Sequence, residues 1–360
     1  MTTEIIFFSV LGLIFSFCFT YKTVPLFVFI ANNFGIIDLP DNLVKNHKEP
    51  TPYLGGLALY FGFIFFVAFF FLIENYNFNS QLNALFLGST MLLLIGLWDD
   101  IVPMKASKKF FMQIVVVFYF LRSGVISDLV FLGQLGNLFF SFWWLSTIIN
   151  AFNLIDVMDG LATSVALCIV SSLLALSVYS QQWNLVFVLS VFAGSLLGFF
   201  CFNKPQASIY LGDSGALFLG GMLGGLSLLF NWQLFNRYGD LAAIAIFAVP
   251  LVEIATLIIV RTYKKKYFYE PSPDHFCLYL RGHGWSVGSI LQYIIVLSSG
   301  QLALAILFLK KEITILSFFI LLAIAAIAWL SILFYGVFPH IIIKNYYKRQ
   351  NFRAMLRTFF

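Results

Sequence analysis

Apolar residues fall into eleven blocks, near 4–31, 54–74, 82–98, 109–122, 139–150, 162–180, 183–201, 215–230, 241–260, 287–308 and 314–338, with polar turns between them. A helix needs about 20 residues to cross the hydrocarbon core of a bilayer. The pattern therefore predicts an all-α, polytopic membrane protein with about 10–11 transmembrane helices. The fourth and fifth blocks are short for a full crossing. They read either as two spans or as one broken, re-entrant pair. Losing both keeps the sidedness of every later loop, and losing one reverses it. No block shows an ionisable group at mid-span depth.

Composition agrees with the pattern. The chain is 61% hydrophobic and 10% charged, with Phe at 45 positions, against about 25% charged residues in a soluble domain. The polar stretches, near 33–53, 261–288 and 339–360, leave no room for a sizeable soluble domain. One membrane domain over 1–360 is expected, ending in a basic tail at 339–360. The first block lacks a basic flank ahead of it and reads as a retained span. Cys18, Cys168, Cys201 and Cys277 show no CxxC spacing, so neither a zinc site nor a disulfide frame is expected.

Charge gives the loops a side. Taken alternately, sixteen Lys and Arg fall on one side and four on the other, with Lys22 inside the first span. The basic side is read as cytoplasmic, which puts the N-terminus outside and the C-terminus inside. Asp99, Asp100, Asp156, Asp159, Asp213 and Asp274 all lie on that basic side. Acidic clusters among Lys and Arg on one face suit a site for Mg²⁺ and phosphate.

Five loops carry the chemistry. DLPDNLVKNHKEPTPYLGG offers Lys45, His47 and Lys48 to phosphate, and Gly55-Gly56 permits close backbone approach. GLWDDIVPMKASKKFFMQ holds Asp99 and Asp100, able to bind metal or take a proton. There Lys109 precedes Gln113 by one helical turn, so both face one groove. In NAFNLIDVMDGLA, Asn150, Asn153, Asp156 and Asp159 recur every three residues and line one face of a helix end. FNKPQASIYLGDSGALFLGG sets Asp213 between glycines at the mouth of a Gly-rich span. RTYKKKYFYEPSPDHFCLYLRGHGWS combines a basic cluster with Asp274, His275, Arg281 and His283. Blander readings stand beside each: topology-setting lysines, helix capping by Asp99, Asp100, Asp156, Asp159 or Asp213, and a polybasic strip against anionic lipid at Lys264 to Lys266.

Taken in order, DLPDNLVKNHKEPTPYLGG, GLWDD, KKFFMQ, NAFNLIDVMDGLA and FNKPQASIYLGDSGALFLG resemble the polyprenyl-phosphate N-acetylhexosamine-1-phosphate transferases (glycosyltransferase family 4), the resemblance running over about 38–285. The resemblance implies transfer of an N-acetylhexosamine-1-phosphate from a UDP-sugar to undecaprenyl phosphate, with release of UMP. It implies Mg²⁺ as cofactor, with Mn²⁺ as a substitute. Carried over by position, Asp99 matches the aspartate that deprotonates the lipid phosphate, and Asp100 its neighbour near metal and phosphates. Asp213 matches the metal ligand. Asn153, Asp156 and Asp159 match the nucleotide-facing set, Tyr210 an aromatic that stacks on uracil, and Lys48 and Lys109 lysines near the diphosphate. The expected place is the bacterial plasma membrane with a cytoplasmic active site. Expected partners are a UDP-N-acetylhexosamine, the polyprenyl lipid and the membrane, but not nucleic acid; a homodimer is also admitted.

Two positions depart from the family pattern. Val157 stands where DGLDG carries a glycine. The histidine-rich string of the fifth loop is reduced to His275, so Asp274, His275 and Arg281 stand in for a diphosphate clamp, and the peptidoglycan-starting branch is disfavoured. The alternatives are a polytopic transporter, or an inactive family member acting as a scaffold.

Overall fold

A computed structural model of the chain describes residues 2–38, 50–74, 78–266 and 272–331. Helices dominate it, as an apolar chain in lipid requires: inside a bilayer only a helix or a closed barrel satisfies every backbone N–H and C=O. The order is α1 (Thr2–Phe34), strands β1 (Ile37–Asp38) and β2 (Thr51–Pro52), α2 (Gly55–Glu74), α3 (Ser80–Ile101), α4 (Ala106–Arg122) and α5 (Gly133–Ile155). Then come α6 (Leu161–Tyr179), α7 (Trp183–Asn203), α8 (Gly212–Leu229), α9 (Ala242–Ile246), α10 (Ala248–Tyr263), α11 (Phe276–Gly282) and α12 (Val287–Leu309). A last helical segment, α13, covers Ile315–Ser331.

Among the described residues seven helices are long and apolar enough to cross a membrane, and α9 with α10 makes an eighth if the bent pair is one span. The fifth block is not short: α5 runs 23 residues, about 35 Å at 1.5 Å per residue, which removes the re-entrant reading for it. Its flanks, GQLGNL and AFNLI, are too polar to register as an apolar run but still helical. The α4 helix has 17 residues, about 25 Å. The broken span lies instead at the ninth block, where the axis turns by 65° between Gly239–Ile246 and Ala248–Tyr263. Apolarity continues across that bend, and its mark in the sequence is Pro250, in the first turn of α10, which has no N–H to give the Ile246 carbonyl four residues back.

The helices sort by composition. Gly-rich α8 is innermost, with 83% of its apolar window buried against 28% for α1 and α12. It packs against α2, α3 and α5. Close approach depends on missing side chains: a Cβ on Gly96 of α3 would fall 2.3 Å from the Asp213 carbonyl oxygen. That glycine lets the acidic end of α3 lie against the start of α8. The Phe-rich outer faces of α1 and α2 carry exposed rings such as Phe7, Phe29, Phe61 and Phe65, the surface expected against lipid.

β1 and β2 form a two-residue antiparallel hairpin with Ile37 opposite Pro52 and Asp38 opposite Thr51. The chain after it locks onto the start of α8: Gly55 N–H donates to the Tyr210 carbonyl at 3.0 Å and Gly56 N–H to that of Leu211 at 2.9 Å. The Gly-Gly pair does make the close backbone approach its sequence permits.

Candidate active site

Four helix ends meet. The last turn of α3 brings Asp99 and Asp100, the first turn of α4 brings Lys109, the last turn of α5 brings Asn153 with Asp156 beyond it, and the first turn of α8 brings Asp213. The Lys109 ammonium lies between two carboxylates, 2.9 Å from Asp99 Oδ2 and 2.6 Å from Asp213 Oδ2. Asn153 Nδ2 donates to the other Asp213 oxygen at 2.5 Å. Lys109 is 8% exposed and Gln113, one turn on, 2%; both do face one buried groove of α4. A buried ammonium needs such partners, since desolvation disfavours an unpaired charge.

The two neighbouring aspartates do different work. Asp99 Oδ1 accepts the Met104 N–H at 2.6 Å, which folds the α3–α4 turn and leaves Oδ2 for Lys109. Asp100 turns to α8 and accepts the N–H of Asp213 at 2.8 Å and of Ser214 at 3.0 Å, one on each oxygen. A helix N-terminus presents unpaired N–H groups and a partial positive charge, so a carboxylate from another helix satisfies both. Gly212 has φ +72°, and a Cβ there would lie 2.8 Å from Asp100 Oδ2.

The three-residue repeat on α5 does not act as one surface. Asn150 Nδ2 donates to the Ser146 carbonyl of its own helix at 2.8 Å. Asp159 accepts the N–H groups of Gln206 at 3.1 Å and Ala207 at 3.2 Å, and so holds the turn before α8. Asp156 follows the last residue of α5. Burial, then the charges of Asp213, Asp100 and Asp159, push its carboxyl up to about 8.

Tyr210 stands on the segment leading into α8, its ring centroid 6.1 Å from that of Tyr53. Burial, more than the nearby acids, raises its phenol. Val157 is exposed beside Asp156. Lys45, His47 and Lys48 lie outside the described residues.

The fifth loop forms a separate network. Asp274, 2% exposed, pairs with Lys264 and accepts the Tyr279 hydroxyl at 2.9 Å. Burial works to raise the Asp274 carboxyl, but hydrogen bonds from Lys264, Ser272 and Tyr279 outweigh it and hold it below the usual range. His275 Nδ1 lies 3.1 Å from Glu253 Oε1, with both residues buried. Arg281 is exposed in the last turn of α11. Among the described residues, none of these three is hydrogen-bonded or ion-paired to the Asp99–Lys109–Asp213 centre. Glu253 also corrects the expectation of spans free of ionisable groups. It lies inside α10, and its lone acid in VPLVEIATLII was the available signal.

The residue set resembles an oxygen-lined site for a hard cation. Among the described residues no group of three or more His, Cys, Asp or Glu side chains is able to hold a metal by itself. Mg²⁺ does not require one, since it keeps several waters and is held by one or two carboxylates plus substrate phosphates. Asp213, with a third of its side chain exposed, and the crowded negative charge around Asp156 fit that demand.

Residues 82–231, the stretch from α3 through α8, match the model of glycosyl transferase family 4. The chain is 31% identical over 301 residues to the phospho-N-acetylmuramoyl-pentapeptide-transferase of Streptococcus gordonii, covering 74% of this chain and 88% of that one. The Streptococcus pyogenes protein of the same name is 30% identical over 345 residues, 81% of this chain and 98% of that one. The chain belongs to this family, the polyprenyl-phosphate sugar-phosphate transferases. A third member, described as a probable undecaprenyl-phosphate N-acetylglucosaminyl 1-phosphate transferase of Bacillus subtilis, is 28% identical over 270 residues, 73% of this chain and 74% of its own length. The family stretch carries every residue of the Asp99–Lys109–Asp213 centre, while the fifth-loop network lies beyond it.

Proposed function

We propose that the chain transfers an N-acetylhexosamine-1-phosphate from a UDP-sugar to undecaprenyl phosphate, releases UMP, and so starts a lipid-linked cell-envelope glycan. The observation that carries this is the Lys109 ammonium held between Asp99 and Asp213 at the meeting of four helix ends. Both substrates are anions and this centre carries more carboxylates than ammonium groups, so a divalent cation bound there would be what lowers their repulsion, while the fixed side chains set their approach.

An oxygen of the lipid phosphate attacks the phosphorus attached to the sugar. A new P–O bond forms there, the P–O bond to UMP breaks, and UMP leaves with the electron pair. Asp99 accepts the second phosphate proton, which is already half lost near neutral pH. Lys109 holds Asp99 and Asp213 in place beside the diphosphate, Asn153 orients Asp213, and Tyr210 offers its ring to the base. Asp213, with Asp100 beside it, would hold Mg²⁺ or Mn²⁺, which would supply charge stabilisation for the leaving phosphate. The lipid tail lies in the groove by α4 and α5, against exposed Phe111, Val115 and Phe118.

The donor is read as a UDP-N-acetylhexosamine without a peptide, on the reduction of the fifth-loop histidines to His275. The excess of Lys and Arg in these loops supports a cytoplasmic site, and the bacterial relatives support a bacterial membrane. Purified protein given labelled UMP, a UDP-sugar panel, lipid phosphate and Mg²⁺ should exchange label into UDP-N-acetylglucosamine or a close analogue. Exchange that needs no lipid phosphate, or a nucleotide-linked enzyme formed from one substrate alone, overturns the single displacement. No exchange with any UDP-sugar removes the assignment.

A further inference from the structure

Beside the carboxylate centre the hairpin builds an aromatic corner. The Tyr53 N–H donates to the Ile36 carbonyl at 3.2 Å, and the Tyr210 N–H donates to that of Pro52 at 2.8 Å. The backbones around Tyr53 and Tyr210 are thereby fixed to one another, and their rings meet at 6.1 Å with an interplanar angle of 55°. Both hydroxyls are tied as well. Tyr53 donates to the carboxylate of Asp38, which is 6% exposed. Tyr210 accepts from the Thr51 hydroxyl. Asp38 and Thr51 are the facing pair of the hairpin, so one ladder rung anchors both rings.

The surrounding charges locate this corner. The Tyr53 phenol is raised by burial, then by Asp38, Asp100 and Asp213, and that of Tyr210 by burial, then by Asp159, Asp38 and Asp156. The rings therefore stand between the Asp100–Asp213 side and the Asp156–Asp159 side of the site. Two rings tilted by 55° cannot sandwich a planar base. A base stacked on one meets the other at an angle, the geometry aromatic groups favour when not parallel. With its hydroxyl committed to Asp38, Tyr53 presents carbon to a ligand rather than a hydrogen-bonding group.

We propose that Tyr53 is a specificity-determining residue for the nucleoside half of the donor: it closes the pocket beside a base stacked on Tyr210 to the width of one six-membered ring. Asp38 is its positioning residue. This rests on the UDP-sugar reading and extends it to the choice of pyrimidine over purine. The closure is set by Tyr53 because the start of α8 and the hairpin hold its backbone, while Asp38 removes its rotational freedom.

Kinetics on wild type, Tyr53→Ala, Tyr53→Phe and Asp38→Asn test it. Tyr53→Ala should raise KM for the UDP-sugar about tenfold, the size of one lost aromatic contact to a base, with a smaller change in kcat and none in KM for the lipid phosphate. Its inhibition by AMP relative to UMP should rise by a similar factor. Tyr53→Phe keeps the wall and should fall between the two, and it covers the case in which Tyr53→Ala does not fold. Asp38→Asn keeps an acceptor for the hydroxyl and should preserve the UMP preference. An unchanged donor KM and an unchanged UMP-over-AMP ratio in both Tyr53 variants overturn the proposal. Thermal shift with UMP and AMP alone reads the corner without turnover. A UMP preference that is lost in Tyr53→Ala supports it even where wild type transfers no sugar, an outcome that removes only the transferase reading. A wild type indifferent to UMP removes the corner.

Discussion

Asp100 at the end of α3 accepts the backbone N–H of Asp213 at 2.8 Å across 113 residues of sequence, and its second oxygen accepts that of Ser214 at 3.0 Å. One carboxylate thus caps the helix that carries the central acid, and the position of Asp213 depends on a residue of another span. Asp100→Ala should lower the melting temperature in detergent as well as turnover, with a lost cap costing about 0.5–2 kcal/mol. Asp100→Asn keeps one acceptor and should melt between the two. A melting curve for Asp100→Ala that overlays wild type would falsify the capping role.

Lys109 neutralises Asp99 and Asp213 together. Lys109→Met should cut UMP release by at least about a hundredfold, the scale of losing one preorganised electrostatic group. Lys109→Arg should not restore it, because a planar guanidinium does not replace a compact ammonium between two carboxylates. Asp213→Asn should abolish turnover in a protein that still elutes as a folded species. Steady-state rates beside size-exclusion profiles check all three.

Asp156, raised to about 8, should report cation binding as proton release. Below that value the carboxyl is mostly protonated, and a divalent cation favours the ionised form, so binding near pH 7 expels a proton. Above about pH 9 the proton is already gone and release should vanish. Calorimetric titration of Mg²⁺ or Mn²⁺ in buffers of different ionisation enthalpy measures this, and Asp156→Asn should reduce the buffer dependence to the part left by Asp100, which burial pushes up to about 7.

Glu253 and His275 join α10 to the start of α11 at 3.1 Å. Glu253→Gln and His275→Ala should each lower thermal stability, and the double variant should be no worse than the more damaging single one, as expected of coupled partners. Additive losses would instead separate the two roles.

Much of the candidate site was legible because the family's acids and amides occupy short polar strings at block ends, where apolarity stops. Asp99, Lys109, Asn153 and Asp213 could be named there, and the structure joins them. Less legible was the division of labour. The repeat through Asn150 and Asp159 looked like one face, yet Asn150 bonds its own helix and Asp159 holds the turn at 206–207. Tyr53 carried no mark beyond its place before Gly55-Gly56, since its relevance comes from pairing with Tyr210.

By itself the sequence determined that this is a helical membrane protein, how many apolar blocks it has, and which polar strings hold the residues of the candidate site. Hydrophobicity and residue type act locally, so they can be read along the chain. Only the tertiary structure decided that Asp100 caps α8, that Lys109 sits between two acids, and that the fifth loop turns its acid and histidine inward. Those outcomes depend on distances between helices, and a linear pattern holds no record of them.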